Sequence, residues 1–121
     1  MIDTIVEKTL LENLIEEGLK PHVKKIDSKA YYAKDYLLSL GKAGFLRSDK
    51  KTEEEYFLTE LYLLEETAKV CMTTAFCLWC HFAGLTYVRN TKNKELQKKF
   101  LPLFENGELL AATGLSNPMK Y

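Results

Sequence analysis

From Ala75 to Val88 nearly every residue is apolar, small or aromatic. A stretch of this kind fits a helix enclosed by other helices. It is too short and too interrupted to span a bilayer, which takes about 20 apolar residues. The rest of the chain must therefore supply the enclosing layer, and its patterning does so. Thr4-Ile5-Val6-Glu7 has the form of a capping box, and Ile5, Val6, Leu10, Leu14 and Ile15 follow at helical spacing. Gly18 and Pro21 argue for a stop near residue 18, while Val23 and Ile26 can carry the same face onward through a kink. Tyr32, Tyr36, Leu37 and Leu40 suggest a second helix that closes at Gly41 or Gly44, with Phe45 and Leu46 tucked behind. Ser48-Asp49-Lys50-Lys51 is the clearest loop.

A second capping box, Thr52-Glu53-Glu54-Glu55, opens a third helix whose expected buried face is Phe57, Leu58, Leu61, Leu64 and Ala68. The apolar run is the central helix. Thr91 is placed to cap the last one, with Leu96, Phe100, Leu103 and Phe104 as its buried face. After the turn Asn106-Gly107-Glu108, the run from Leu109 to Leu115 has the length and composition of a buried strand without a partner strand to pair with. The predicted fold is all-α, a bundle of about five helices with a short C-terminal extended segment. Residues 1–107 form the helical domain, and 108–121 are expected to begin a further, truncated domain.

Composition narrows the function. Seventeen basic and seventeen acidic residues cancel, so no global field draws in nucleic acid or an anionic membrane. Asp3, Glu7 and Glu12 interrupt the first segment, which removes the pattern of a signal peptide and makes the cytoplasm the expected location. Three cysteines in a reducing compartment do not make a disulfide framework.

Cys77-Leu78-Trp79-Cys80-His81 spells the attachment motif of c-type haem, but haem attachment belongs to export compartments, and the motif lies inside an apolar run. A thioredoxin-like pair belongs at a strand-to-helix junction, and a zinc site needs a fourth ligand where His22 is the only other histidine. Cys71, Cys77 and Cys80 therefore read as small buried hydrophobes, and His81, Trp79 and Phe82 as packing residues. The tyrosines at 31, 32, 36, 56, 62 and 87 read as core edges with hydroxyls reaching water. No catalytic triad order, phosphate-binding glycine loop or metal-ligand set is present in the sequence.

Several segments together resemble the N-terminal helical domain of the acyl-CoA dehydrogenase flavoproteins. Leu40-Gly41-Lys42-Ala43-Gly44-Phe45-Leu46 is similar to the end of that family's second helix, and Glu65-Glu66-Thr67-Ala68-Lys69-Val70 to its EELA segment. Thr73-Thr74-Ala75, His81 and Gly84 resemble its central helix. Lys94 to Pro102 followed by Gly107-Glu108-Leu109-Leu110-Ala111-Ala112 is similar to the signature that leads into the first strand of the family's middle β domain.

The resemblance implies FAD as cofactor and an acyl-CoA thioester as substrate; helix faces left bare without the family's other domains make a homo-oligomer or a partner-dependent protein expected. The resemblance also implies that Ser116 offers a hydroxyl to the flavin ring, and Thr113 and Leu115 main-chain contacts. The family's acyl tail lies against the central helix, so Trp79 and His81 are the implied substrate contacts. Its base is a carboxylate of the C-terminal helical domain, so no catalytic residue is expected within 1–121, nor any flavin or turnover in the isolated chain. Thr113 replaces a usual aromatic, Asn117 the acidic residue and Met119-Lys120-Tyr121 the glycine-rich continuation, three departures that bear on the substrate class. One alternative is a flavin-dependent monooxygenase of the same fold. A non-catalytic helical interaction module is another.

Overall fold

The computed structural model describes residues 5–29, 31–49 and 51–112. The chain there is helical: α1 (Ile5–Gly18), a 3-10 turn (Lys20–His22), α2 (Val23–Lys29), α3 (Lys34–Lys42), α4 (Glu53–Ala68), α5 (Met72–Asn90) and α6 (Lys94–Glu105). No strand occurs among the described residues. This is the predicted all-α bundle, with α1 and α2 as two pieces of one kinked segment. The kink sits where Gly18 and Pro21 place it, and the apolar face passes through it as Leu11, Ile15, Leu19 and Ile26, all buried. Thr4 of the first capping box lies outside the described residues.

The end of α3 follows from Gly44. At φ 86° this residue adopts the left-handed conformation, so the Gly44 N–H donates to the Gly41 carbonyl at 3.0 Å and the Phe45 N–H to the Leu40 carbonyl at 3.1 Å. Phe45 and Leu46 are thereby delivered to the core. α4 starts as its sequence predicts, with the Thr52 hydroxyl accepting from the Glu55 N–H at 3.1 Å. Its buried face differs from the expected one. Thr59, Glu60, Leu63 and Thr67 point inward, whereas Phe57, Leu58 and Leu61 are exposed. Hydrogen bonding decides this rotation, since each inward polar group has a partner: Thr59 donates to the Glu55 carbonyl, Thr67 pairs with the Tyr36 hydroxyl at 2.8 Å, and Glu60 meets Arg89. Tyr36 is correspondingly a core residue and not an edge. Burial pushes its hydroxyl up to about 12, against the opposing influence of Thr67.

α5 packs between α4 and α6, and α1 against α3. The Cys71 sulfur caps α5 by accepting from the Thr74 N–H and hydroxyl. Leu78, His81, Phe82, Gly84 and Leu85 are buried, but the helix is not enclosed on every side as its composition suggests: Met72, Phe76, Trp79 and Tyr87 form an exposed stripe. Cys71 is buried and Cys77 and Cys80 are half-buried free thiols; burial pushes the Cys77 thiol up, which disfavours a reactive thiolate. The cap of α6 is Asn93, whose side chain accepts from the Leu96 N–H at 3.1 Å, while Thr91 accepts from Asn93 itself. Gln97 faces inward and donates to the Val88 and Arg89 carbonyls, satisfying the end of α5. That turns Leu96 outward and brings Leu101 and Phe104 onto the core.

Candidate functional site at the exit of the bundle

The closest backbone approaches among the described residues lie where the chain leaves the helices. α6 stops at Glu105, and the Asn106 N–H donates back to the Phe104 and Pro102 carbonyls. Gly107, at φ 82°, then reverses the chain, and the Leu109 N–H bonds the Leu103 carbonyl at 3.1 Å. This turn lies backbone to backbone on α3. A Cβ at Gly41 would overlap the Asn106 carbonyl and sit 2.5 Å from the Gly107 nitrogen, and one at Gly107 would sit 3.0 Å from the Leu38 Cα. Two glycines facing each other make the approach possible. A third, Gly84 on α5, leaves the space that the Ala111 side chain occupies, so the outgoing segment lies flush on the central helix.

His81 fastens that segment. Its Nε2 is 2.9 Å from the Phe104 carbonyl, and the Ala111 N–H donates to Nδ1 at 3.1 Å. The side chain is fully buried. Burial lowers its pKa, with Arg89 adding in the same direction and the bond to Phe104 opposing. Both ring nitrogens are thus engaged by backbone, and this arrangement leaves neither for a substrate. Trp79 is nearly half exposed on the open stripe, with its ring stacked on Phe76 at 6.0 Å.

Beneath the exit lies a buried ionic hub. Arg89 reaches Glu60 of α4 at 2.8 Å and Glu105 of α6 at 3.1 Å, donates to the Leu46 carbonyl at 2.8 Å, and lies over the Tyr56 ring at 4.4 Å. Glu105 also accepts from the Ser48 N–H at 3.1 Å and hydroxyl at 2.5 Å, which anchors the loop after α3. Burial raises the Glu60 pKa, and the adjacent guanidinium opposes that rise. The hub joins α4, α5, α6 and the 46–48 loop at one point.

These features coincide with a known pattern: the family model described as acyl-CoA dehydrogenase, N-terminal domain, matches residues 8–108. The chain belongs to the acyl-CoA dehydrogenase family. No curated protein and no solved structure was matched. Within this acyl-CoA dehydrogenase N-terminal domain, several of the segments that carry the resemblance in sequence meet in space, since Gly41, His81, Gly84 and Gly107 all hold the exit. Thr113, Leu115 and Ser116 lie outside the described residues. Among the described residues, no group of three or more His, Cys, Asp or Glu could hold a metal ion, and no helix is long and apolar enough to cross a membrane. Sequence reasoning missed the hub and the Gln97 cap. The one local signal was a guanidinium at Arg89 closing an apolar helix.

Proposed function

We propose that this chain is the helical front part of a flavin-dependent oxidoreductase of acyl-CoA dehydrogenase type, acting by α,β-dehydrogenation of an acyl-CoA thioester. The observation that carries the reading is the clasped exit. It holds Ala111 at a fixed place on the central helix, two residues before Thr113, the first of the residues proposed to meet the flavin. The donor set suits a flavin ring, which offers carbonyl oxygens and ring nitrogens to the Ser116 hydroxyl and to the main chain at Thr113 and Leu115. FAD bound there supplies an acceptor for the hydride leaving the substrate's β carbon. The helical part positions; it does not abstract the proton. Its buried carboxylates Glu60 and Glu105 are committed to Arg89 and offer no accessible base. Trp79, on the open stripe of α5, is the side chain proposed to face the acyl tail or a neighbouring domain.

The test combines this chain with a polypeptide carrying the middle β and C-terminal domains of the family. The 121-residue chain alone is expected to be colourless and inactive, and the combination to carry visible flavin absorbance and to convert an acyl-CoA to its enoyl product. A combination without flavin, or one that consumes oxygen without forming enoyl-CoA, overturns the dehydrogenase reading. The exposed stripe of Met72, Phe76, Trp79 and Tyr87 further supports a homo-oligomeric assembly. Sedimentation is expected to give a species larger than a monomer, and a clean monomer at high concentration rules it out.

A further inference from the structure

Ala111 presents an amide that can only donate, and Phe104 a carbonyl that can only accept. The imidazole between them is therefore the neutral tautomer with its proton on Nε2, and Nδ1 carries the lone pair that receives the Ala111 N–H. Adding a proton to Nδ1 would set two donors against each other at 3.1 Å and break the bond to the outgoing segment. The groups facing the ring are the Phe104 carbonyl and ring from α6, the Ala111 amide from the exit segment, and Arg89 from its own helix. Arg89 disfavours a second positive charge, and the Glu60 and Glu105 carboxylates are committed to that guanidinium. Gly84 lets the segment come close enough for the bond to His81, because the Ala111 side chain rests where a Cβ would be.

We infer that His81 is a positioning residue: as a neutral imidazole it fixes the Ala111 amide on the central helix, two residues before the first of those proposed to meet the flavin. Its consequence for catalysis rests on the function proposed above, whereas its geometry does not. The direction with pH follows from linkage. A histidine held below the ordinary value of 6.5 contributes stability that is present above that value and lost as pH falls through the depressed one. The clasp is closed at neutral pH and opens in acid.

The test is amide hydrogen exchange in the 121-residue chain, with Leu109, bonded to the Leu103 carbonyl, as internal reference. At neutral pH the Ala111 amide is expected to be protected. Its protection factor should fall by about tenfold as His81 takes up a proton, while that of Leu109 is retained. Two variants separate the nitrogens, because an asparagine oxygen reaches the place of Nδ1 and a glutamine amide the place of Nε2. H81N should keep Ala111 protected with no dependence on pH, and H81Q should lose that protection selectively. An Ala111 amide that exchanges freely at neutral pH, or is indifferent to pH in the wild type, overturns the inference, as do variants with equal protection. The wild-type titration needs no substitution, so a variant that fails to fold leaves the inference open to refutation. None of these readouts requires flavin. If the assembled protein proves not to be a dehydrogenase, the exchange result stands; if exchange fails, the flavin assay is untouched.

Discussion

Replacing Arg89 with methionine is expected to destabilise the helical domain by about 3–5 kcal/mol, the usual cost of stranding buried charges by removing their partner. Two carboxylates share that guanidinium, and both are about nine-tenths buried. A domain of this size has about 5–15 kcal/mol of stability, so the variant should sit close to its folding threshold. Denaturant unfolding followed by circular dichroism measures the loss. The companion experiment replaces all three charged residues at once with apolar side chains of similar volume, which for such clusters is often close to neutral. A small effect of R89M alone would mean that water reaches the carboxylates and that the hub is not the closed site described above.

The same variant should respond to pH with an unusual sign. Burial holds the Glu60 carboxyl above its ordinary range, and Arg89 is the influence that holds it down. A group whose folded-state pKa is raised contributes stability that is present below its ordinary value and lost as pH rises through the raised one. Removing Arg89 enlarges that raise, so R89M should recover part of its lost stability on mild acidification, before general acid unfolding sets in. The wild type should recover much less over the same range. Parallel behaviour of the two proteins between neutral and mildly acidic pH would contradict this.

Local chemistry was legible in the sequence, and long-range pairing was not. The Thr52 cap and the Gly44 terminus depend on bonds within a few residues, and the pattern of side chains announces both. The break between α1 and α2 followed from Gly18 and Pro21 for the same reason. The inward face of α4 could not be read this way, because its apolar residues are spread around the helix and mark no single face. The choice is made by Tyr36, 31 residues away from Thr67, and by Arg89, 29 residues away from Glu60. Hydropathy likewise cannot say which apolar face of α5 is covered, so Phe76 and Trp79 looked interior and are exposed. At the exit, the family resemblance marked Gly41, His81, Gly84 and Gly107 as belonging to one pattern. What they have in common, contact with the segment from Asn106 to Ala111, is visible only in three dimensions.

Gly41→Ala should be the most damaging single methyl group added to this domain. A Cβ there meets the carbonyl group of Asn106 and the nitrogen of Gly107, which are backbone atoms and not the movable end of a side chain. Relief requires the whole exit turn to lift from α3, and overpacking of this kind costs about 1–3 kcal/mol. Lifting the turn also pulls on Glu105, whose carboxylate ties the hub and Ser48 together, so the upper end of that range or beyond is expected. Gly84→Ala provides the control, because its collision is with a side chain, the methyl of Ala111. G84A should be destabilising alone and substantially rescued by A111G, which vacates the space, whereas no side-chain truncation at Asn106 or at any other contact of Gly41 rescues G41A. Chemical denaturation of the four variants measures both effects. Additive costs for G84A and A111G would mean that the outgoing segment does not lie on the central helix, and a harmless G41A would mean that α3 and the exit turn do not touch.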